Sequence, residues 1–118
     1  MTPDFFVEAL KLHCSDAAVE DCLTTFKNPP GRRPRESLKK ISDWFIALSP
    51  SDQEHVATAM REASDATLFG VLCTLDGVRV IEDEVNKSEF KLTATINGIE
   101  SQLLPGTTYL HDILRAKS

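Results

Sequence analysis

The chain has 118 residues, 42% of them hydrophobic and 26% charged, with a formal net charge of -5. A chain of this length fits one domain that buries roughly 65% of its unfolded surface and requires no staple, and the composition is ordinary for a soluble protein. No charged and apolar N-terminal segment resembles a signal peptide, so the expected location is cytoplasmic.

The net charge hides an asymmetry. Residues 27–40 hold six basic side chains against the single acid Glu36, a net +5, which leaves -10 for the remainder. Such a split favours electrostatic steering of a charged partner. Cys14, Cys22 and Cys73 form an odd set within apolar helical patterns and read as small hydrophobes rather than as a disulfide framework.

Thr2, Pro3 and Asp4 open the first helix with a capping hydroxyl, a first-turn proline and an acid at the positive helix end. Phe6, Leu10, Cys14, Ala18, Cys22 and Phe26 then recur at spacing four. Ser15 and Asp16 can act as a fresh cap, so the segment is one helix or two; the reading taken is two short helices. The prolines of Asn28, Pro29, Pro30, Gly31, Arg32, Arg33 and Pro34 remove donors and disfavour helix before them, predicting a loop. Leu38, Ile41, Phe45 and Leu48, with Trp44 beside them, predict an amphipathic helix over residues 35–48.

A longer helix follows, starting from Ser49 with Pro50 or from Ser51 with Glu54. From Ala66 to Leu75 only Thr67, Gly70 and Thr74 interrupt the apolar run, predicting a helix covered on all sides. Ala59, Ala63, Ala66 and Gly70 make a row of small residues for close packing, and Gly77 stops the helix with help from Asp76. The apolar part is too short for a bilayer, which needs ~20 residues.

Val78 and Val80 alternate with Arg79, which fits a third strand or a helical continuation. Phe90, Leu92, Ala94 and Ile96 alternate with Lys91, Thr93 and Thr95, and Asn97 with Gly98 predicts a type I′ hairpin turn. A two-residue loop pairs Ile96 with Ile99, Ala94 with Ser101 and Leu92 with Leu103. Tyr109 to Arg115 predicts a short terminal helix. The expected fold class is therefore α+β, with four or five helices around a central buried helix over residues 51–75 and a two- or three-stranded antiparallel sheet at one side.

The segments Asn28-Pro29-Pro30-Gly31-Arg32, Asp43-Trp44-Phe45, Leu68 through Cys73 leading to Leu75-Asp76-Gly77-Val78-Arg79, and Tyr109-Leu110-His111-Asp112 together resemble a family of small uncharacterised bacterial proteins. The resemblance implies a bacterial cytoplasmic domain and assigns no catalytic residue. In size and acidity the chain is also similar to immunity proteins that neutralise toxins.

His111 beside Asp112 is the best general-base candidate, yet neighbours on a helix point about 100° apart, which places Asp112 poorly for orienting the ring. His55 reads as solvated or partner-facing. No C-x-x-C, H-x-x-x-H, calcium-loop or phosphate-loop motif occurs, so neither a metal nor a cofactor is expected, and Glu82, Asp83 and Glu84 read as an acidic turn. Arg79 is expected to pair with Glu82 or Asp112. These features favour a non-enzymatic protein-binding domain, immunity-like or regulating an enzyme. Arg32, Arg33, Arg35, Asp76, Arg79, Glu82, Asp83 and His111 are its candidate contact residues. The alternative is an accessory module that binds a small ligand or, through residues 32–40, nucleic acid, although the acidic remainder repels phosphate. No membrane partner is expected, and a homodimer stays open.

Overall fold

The computed structural model describes residues 1–117 and contains helices and a two-stranded antiparallel sheet, an α+β chain. Thr2 caps the first helix, its Oγ1 accepting the Phe5 N–H at 3.1 Å. Helix α1 (Pro3–Leu10) runs through a π-helical segment (Lys11–Asp16) into α2 (Ala17–Lys27). Leu10, Lys11, Asp16 and Ala17 all keep right-handed helical dihedrals, so this is one rod and not the two separate helices expected.

The irregularity near Ser15 is real but takes the form of a wide turn. The Ser64 hydroxyl donates to the Ser15 carbonyl at 2.9 Å, and the two hydroxyl oxygens lie 3.0 Å apart. With the Ser64 proton committed, Ser15 is the donor between the hydroxyls. A side chain from outside thus enters the backbone ladder and widens the turn instead of ending the helix.

After the proline loop, α3 (Glu36–Ile46) returns along α2, with Phe45 and Ser42 buried. The Ser42 hydroxyl donates to the Phe26 carbonyl, and the Phe26 ring meets that of Phe45 at 5.9 Å. Helix α4 (Pro50–Leu75) begins at the Ser49 cap, whose hydroxyl accepts the Asp52 N–H at 3.1 Å. At its end the Gly77 N–H reaches the Thr74 carbonyl and the Val78 N–H reaches the Cys73 carbonyl. This is a Schellman stop, and it needs Gly77 at φ +78°.

The chain beyond it, residues 78–91, has neither the third strand nor the continued helix considered from sequence. Strands β1 (Leu92–Ile96) and β2 (Ile99–Leu104) pair antiparallel, and positive φ at Asn97 and Gly98 fits the predicted turn. Leu92 pairs with Leu104, not with Leu103, because the register shifts between Leu92 and Thr93. The irregularity lets consecutive residues Leu103 and Leu104 both be buried, which strict alternation forbids. Helix α5 (Leu110–Ala116) completes the fold.

Two apolar cores result. One gathers Val7, Leu72, Leu104, Leu110, Ile113 and Leu114; the other gathers Val19, Leu23, Phe45 and Ala57. Burying a side chain such as Leu72 or Phe45 contributes about 1.5–3 kcal/mol. The expected all-round cover of α4 is absent: Ala66, Thr67 and Val71 are exposed, as are Ala59 and Ala63 of the small-residue row. Only Gly70 in that row is buried, and what lies against it is the Arg79 side chain. Cys14 and Cys22 are likewise exposed, while Cys73 is buried. Among the described residues no helix is long and apolar enough to cross a membrane.

The two glycines of this region give opposite expectations. A Cβ at Gly70 would fall 2.6 Å from Arg79 Nη1, the movable end of a flexible side chain. Gly70→Ala should therefore hold or raise stability by up to about 1 kcal/mol as Arg79 swings aside. Gly77→Ala should lower it by about 1 kcal/mol, since an L side chain strains at that φ. Urea unfolding of both variants reads the difference.

Candidate functional site

Asp76, one residue beyond α4, turns its carboxylate away from its own helix and toward the start of α5. Oδ1 accepts the Leu110 N–H at 3.0 Å and Oδ2 accepts the His111 N–H at 2.9 Å. Those are orphan donors of the first turn of α5, whose own N-cap, Tyr109, offers no side-chain bond. The third contact is His111 Nδ1, 2.6 Å from Oδ2. The Asp76 side chain is 0% exposed and that of His111 14%. A buried carboxylate is costly unless it is saturated with donors, and here the N-terminus of α5 supplies two of them together with a favourable dipole.

The imidazole is fixed on its faces and edges as well. Tyr109 stacks on it at 5.3 Å and 22°, and Phe69 of α4 meets it edge-on at 5.6 Å. Its Nε2 lies 3.3 Å from Asp112 Oδ1. Asp112 therefore does engage the ring, against the sequence expectation, at the nitrogen opposite to the one Asp76 holds. Arg115 extends the cluster, lying 4.0 Å from the Phe69 ring centroid and 2.8 Å from Asp65.

A base in a relay needs its outer nitrogen turned to a nucleophile or a substrate. His111 has carboxylates at both nitrogens, so the arrangement chiefly ties the end of α4 to the start of α5. Among the described residues no group of three or more His, Cys, Asp or Glu side chains is placed to hold a metal ion.

The remaining candidates are dispersed. Arg32, Arg33 and Arg35 lie exposed in the loop before α3. Arg79 covers Gly70 and, among the described residues, pairs with neither Glu82 nor Asp112, which corrects that expectation. The Glu82 carboxylate instead accepts the Ser88 N–H at 2.9 Å and the Ser88 hydroxyl at 3.0 Å, and its carbonyl accepts from Lys87. Asp83 is exposed on the same loop, and His55 is exposed beside Asp52.

A cleft of about 510 Å³ lies between the end of α4, the loop and the turn after β2, lined by Leu75, Asp76, Lys87, Phe90, Lys91, Leu104 and Tyr109 among others. Phe69, Arg115 and Asp65 join the cluster although nothing in the sequence assigns them a site role. Their only signal was Phe69 within an apolar run, and Arg115 stands 50 positions from Asp65. No protein family, curated protein or solved structure matches the chain.

Asp76→Ala should cost about 2–3 kcal/mol, because two buried α5 donors and the imidazole lose their acceptor. In a double-mutant cycle with His111→Ala, a coupling energy near ~1 kcal/mol is expected from denaturant titrations, and strict additivity would contradict the direct bond.

Proposed function

We propose that the chain is a non-enzymatic protein-binding domain, immunity-like in that it neutralises a toxin or otherwise regulates an enzyme. The observation that supports this reading is the loop over residues 78–91. It places Val80, Ile81 and Val85, the last 97% exposed, beside the carboxylates of Glu82, Asp83 and Glu84. Apolar side chains left in water gain about 25 cal/mol per Å² when a partner covers them.

The bonds from Ser88 and Lys87 to Glu82 preset the shape of this loop. A preset loop loses less conformational freedom on binding. Three successive carboxylates, on a chain that carries -10 outside residues 27–40, select a partner with a basic rim around an apolar depression.

A second reading, a small-ligand module, draws on the cleft beside Asp76. Its apolar lining with Lys87 and Lys91 would suit an anionic molecule with an apolar body. The protein reading stands ahead because Asp76 is already saturated by α5 and Lys87 is bonded to the Glu82 carbonyl.

Affinity purification from the source cells discriminates between them. Tagged wild type and Phe5→Ser, altered at an exposed α1 position, should retain the same protein in stoichiometric amount. The triple variant Val80→Ser, Ile81→Ser, Val85→Ser should lose it, and retention should weaken as salt is raised. A partner held equally by the triple variant, or no protein retained at all, would overturn the proposal.

A further inference from the structure

We propose that the open edge of β1 pairs with β1 of a second copy of this chain, joining the two hairpins into one four-stranded antiparallel sheet. In the hairpin, Ile96 and Ile99 close a two-residue turn and exchange main-chain bonds, as do Ala94 and Ser101 one step on. Thr93 and Thr95 therefore turn their N–H and C=O groups away from β2. Among the described residues no group of another element bonds to them there, and both residues are exposed.

A strand edge left in water ordinarily carries something that blocks pairing. Strand β1 has none of those devices: no charge or proline lies between Leu92 and Ile96, and the register shift places its extra residue, Leu103, on β2. The far side of the hairpin differs. There α1 lies against β2, and the Met1 ammonium stands 3.4 Å from Ser101 Oγ. One open edge per chain lets pairing stop at two copies.

The residue order of β1 favours a second copy over an unrelated strand. Leu92-Thr93-Ala94-Thr95-Ile96 reads nearly the same in both directions, so a two-fold axis at Ala94 sets Thr93 against Thr95 of the second copy and Ala94 against its own equivalent. Each threonine pair then exchanges the outward main-chain bonds, and the small alanines permit the ~4.5 Å approach of a pair without them. Ile96 comes opposite Leu92 of the second copy. That match covers an overhang, because Ile96 is 68% exposed whereas Leu92 packs against the first core. Each hairpin thus extends the apolar face of the other.

Main-chain bonds supply most of the affinity in strand addition, and a single edge buries less than the ~1,600 Å² of a standard interface. Association is therefore weak and is sampled between about 10 µM and about 1 mM. With the intact chain, sedimentation equilibrium over that range should show the mass approaching twice that of the monomer. Exchange of the Thr93 and Thr95 amide hydrogens should slow several-fold over the same range. Thr95→Pro removes an outward N–H and no bond to β2, so it should weaken association by about tenfold or more while the circular dichroism keeps its helical form. In a background of Cys14→Ser and Cys22→Ser, Ala94→Cys should cross-link the copies on mild oxidation, since the paired Cα atoms fall within bridging range. Thr93→Cys should not, because its equivalents stand beyond ~7 Å. A chain that stays monomeric to about 1 mM overturns the proposal. So does a dimer in which both threonine amides exchange unchanged, equal cross-linking at the two positions, or an open-ended ladder of oligomers. Wild-type exchange and the cross-linking pair decide the matter even if Thr95→Pro does not fold.

Discussion

Helix α4 has to serve two cores from different sides of a single rod of 26 residues, about 39 Å long, and the placement of the other elements depends on that division. In its first half Ala57 is buried, with Val56 and Met60 packed alongside against α2 and α3. At the other end the fully buried Leu72 points about 60° around the axis from Ala57. Leu72, Leu68 and Phe69 there meet α1, β2 and α5. Neither core encloses the whole helix, so Ala66 and Val71 reach solvent in the middle of an apolar stretch. The elongated outline, 48 × 38 × 29 Å, follows from hanging two small cores on one rod.

The second core is closed with polar ties where apolar area is limited. Ser42 bonds to the Phe26 carbonyl, Gln53 Nε2 bonds to the Phe45 carbonyl at 3.0 Å, and Ser64 bonds to Ser15 across the wide turn. Each satisfies a polar group that would otherwise be costly to cover, and each fixes the register between two rods. The first core is closed by Asp76. One carboxylate meets two backbone donors and an imidazole, while Arg115 reaches back to Asp65 and Phe69. Cluster and cleft therefore share residues without sharing a role: Asp76 lines the cleft but spends its oxygens on α5.

The apolar surface left in water is divided in the same way. Ile41 and Trp44 adjoin the second core, and Val80, Ile81 and Val85 lie on the irregular loop after α4. Beside α3 the charge is basic, and the loop carries the run Glu82, Asp83 and Glu84 with Arg79, Lys87 and Lys91 around it. A chain of this size with one undivided core would have covered much of this surface itself.

Local chemistry was enough to determine the Thr2 cap, the proline loop, the Gly77 stop and the Asn97-Gly98 turn, and narrowed the start of α4 to the Ser49 or Ser51 frame, of which the fold uses Ser49. Each depends on a few adjacent residues whose preferences are set by sterics and by their own hydrogen bonds. Periodicity likewise gave α3, α4, the hairpin and α5 to within a few residues. Which side of α4 is covered, and where, was decided only in three dimensions, because an apolar run carries no phase once its partners change along its length. The same holds for the wide turn at Ser15, which needs Ser64, and for the second apolar residue at the end of β2. Asp76 shows the limit most plainly: its position at a helix end was legible, but its partners stand 34 and 35 residues away, at a distance where only packing can bring a carboxylate to a helix start.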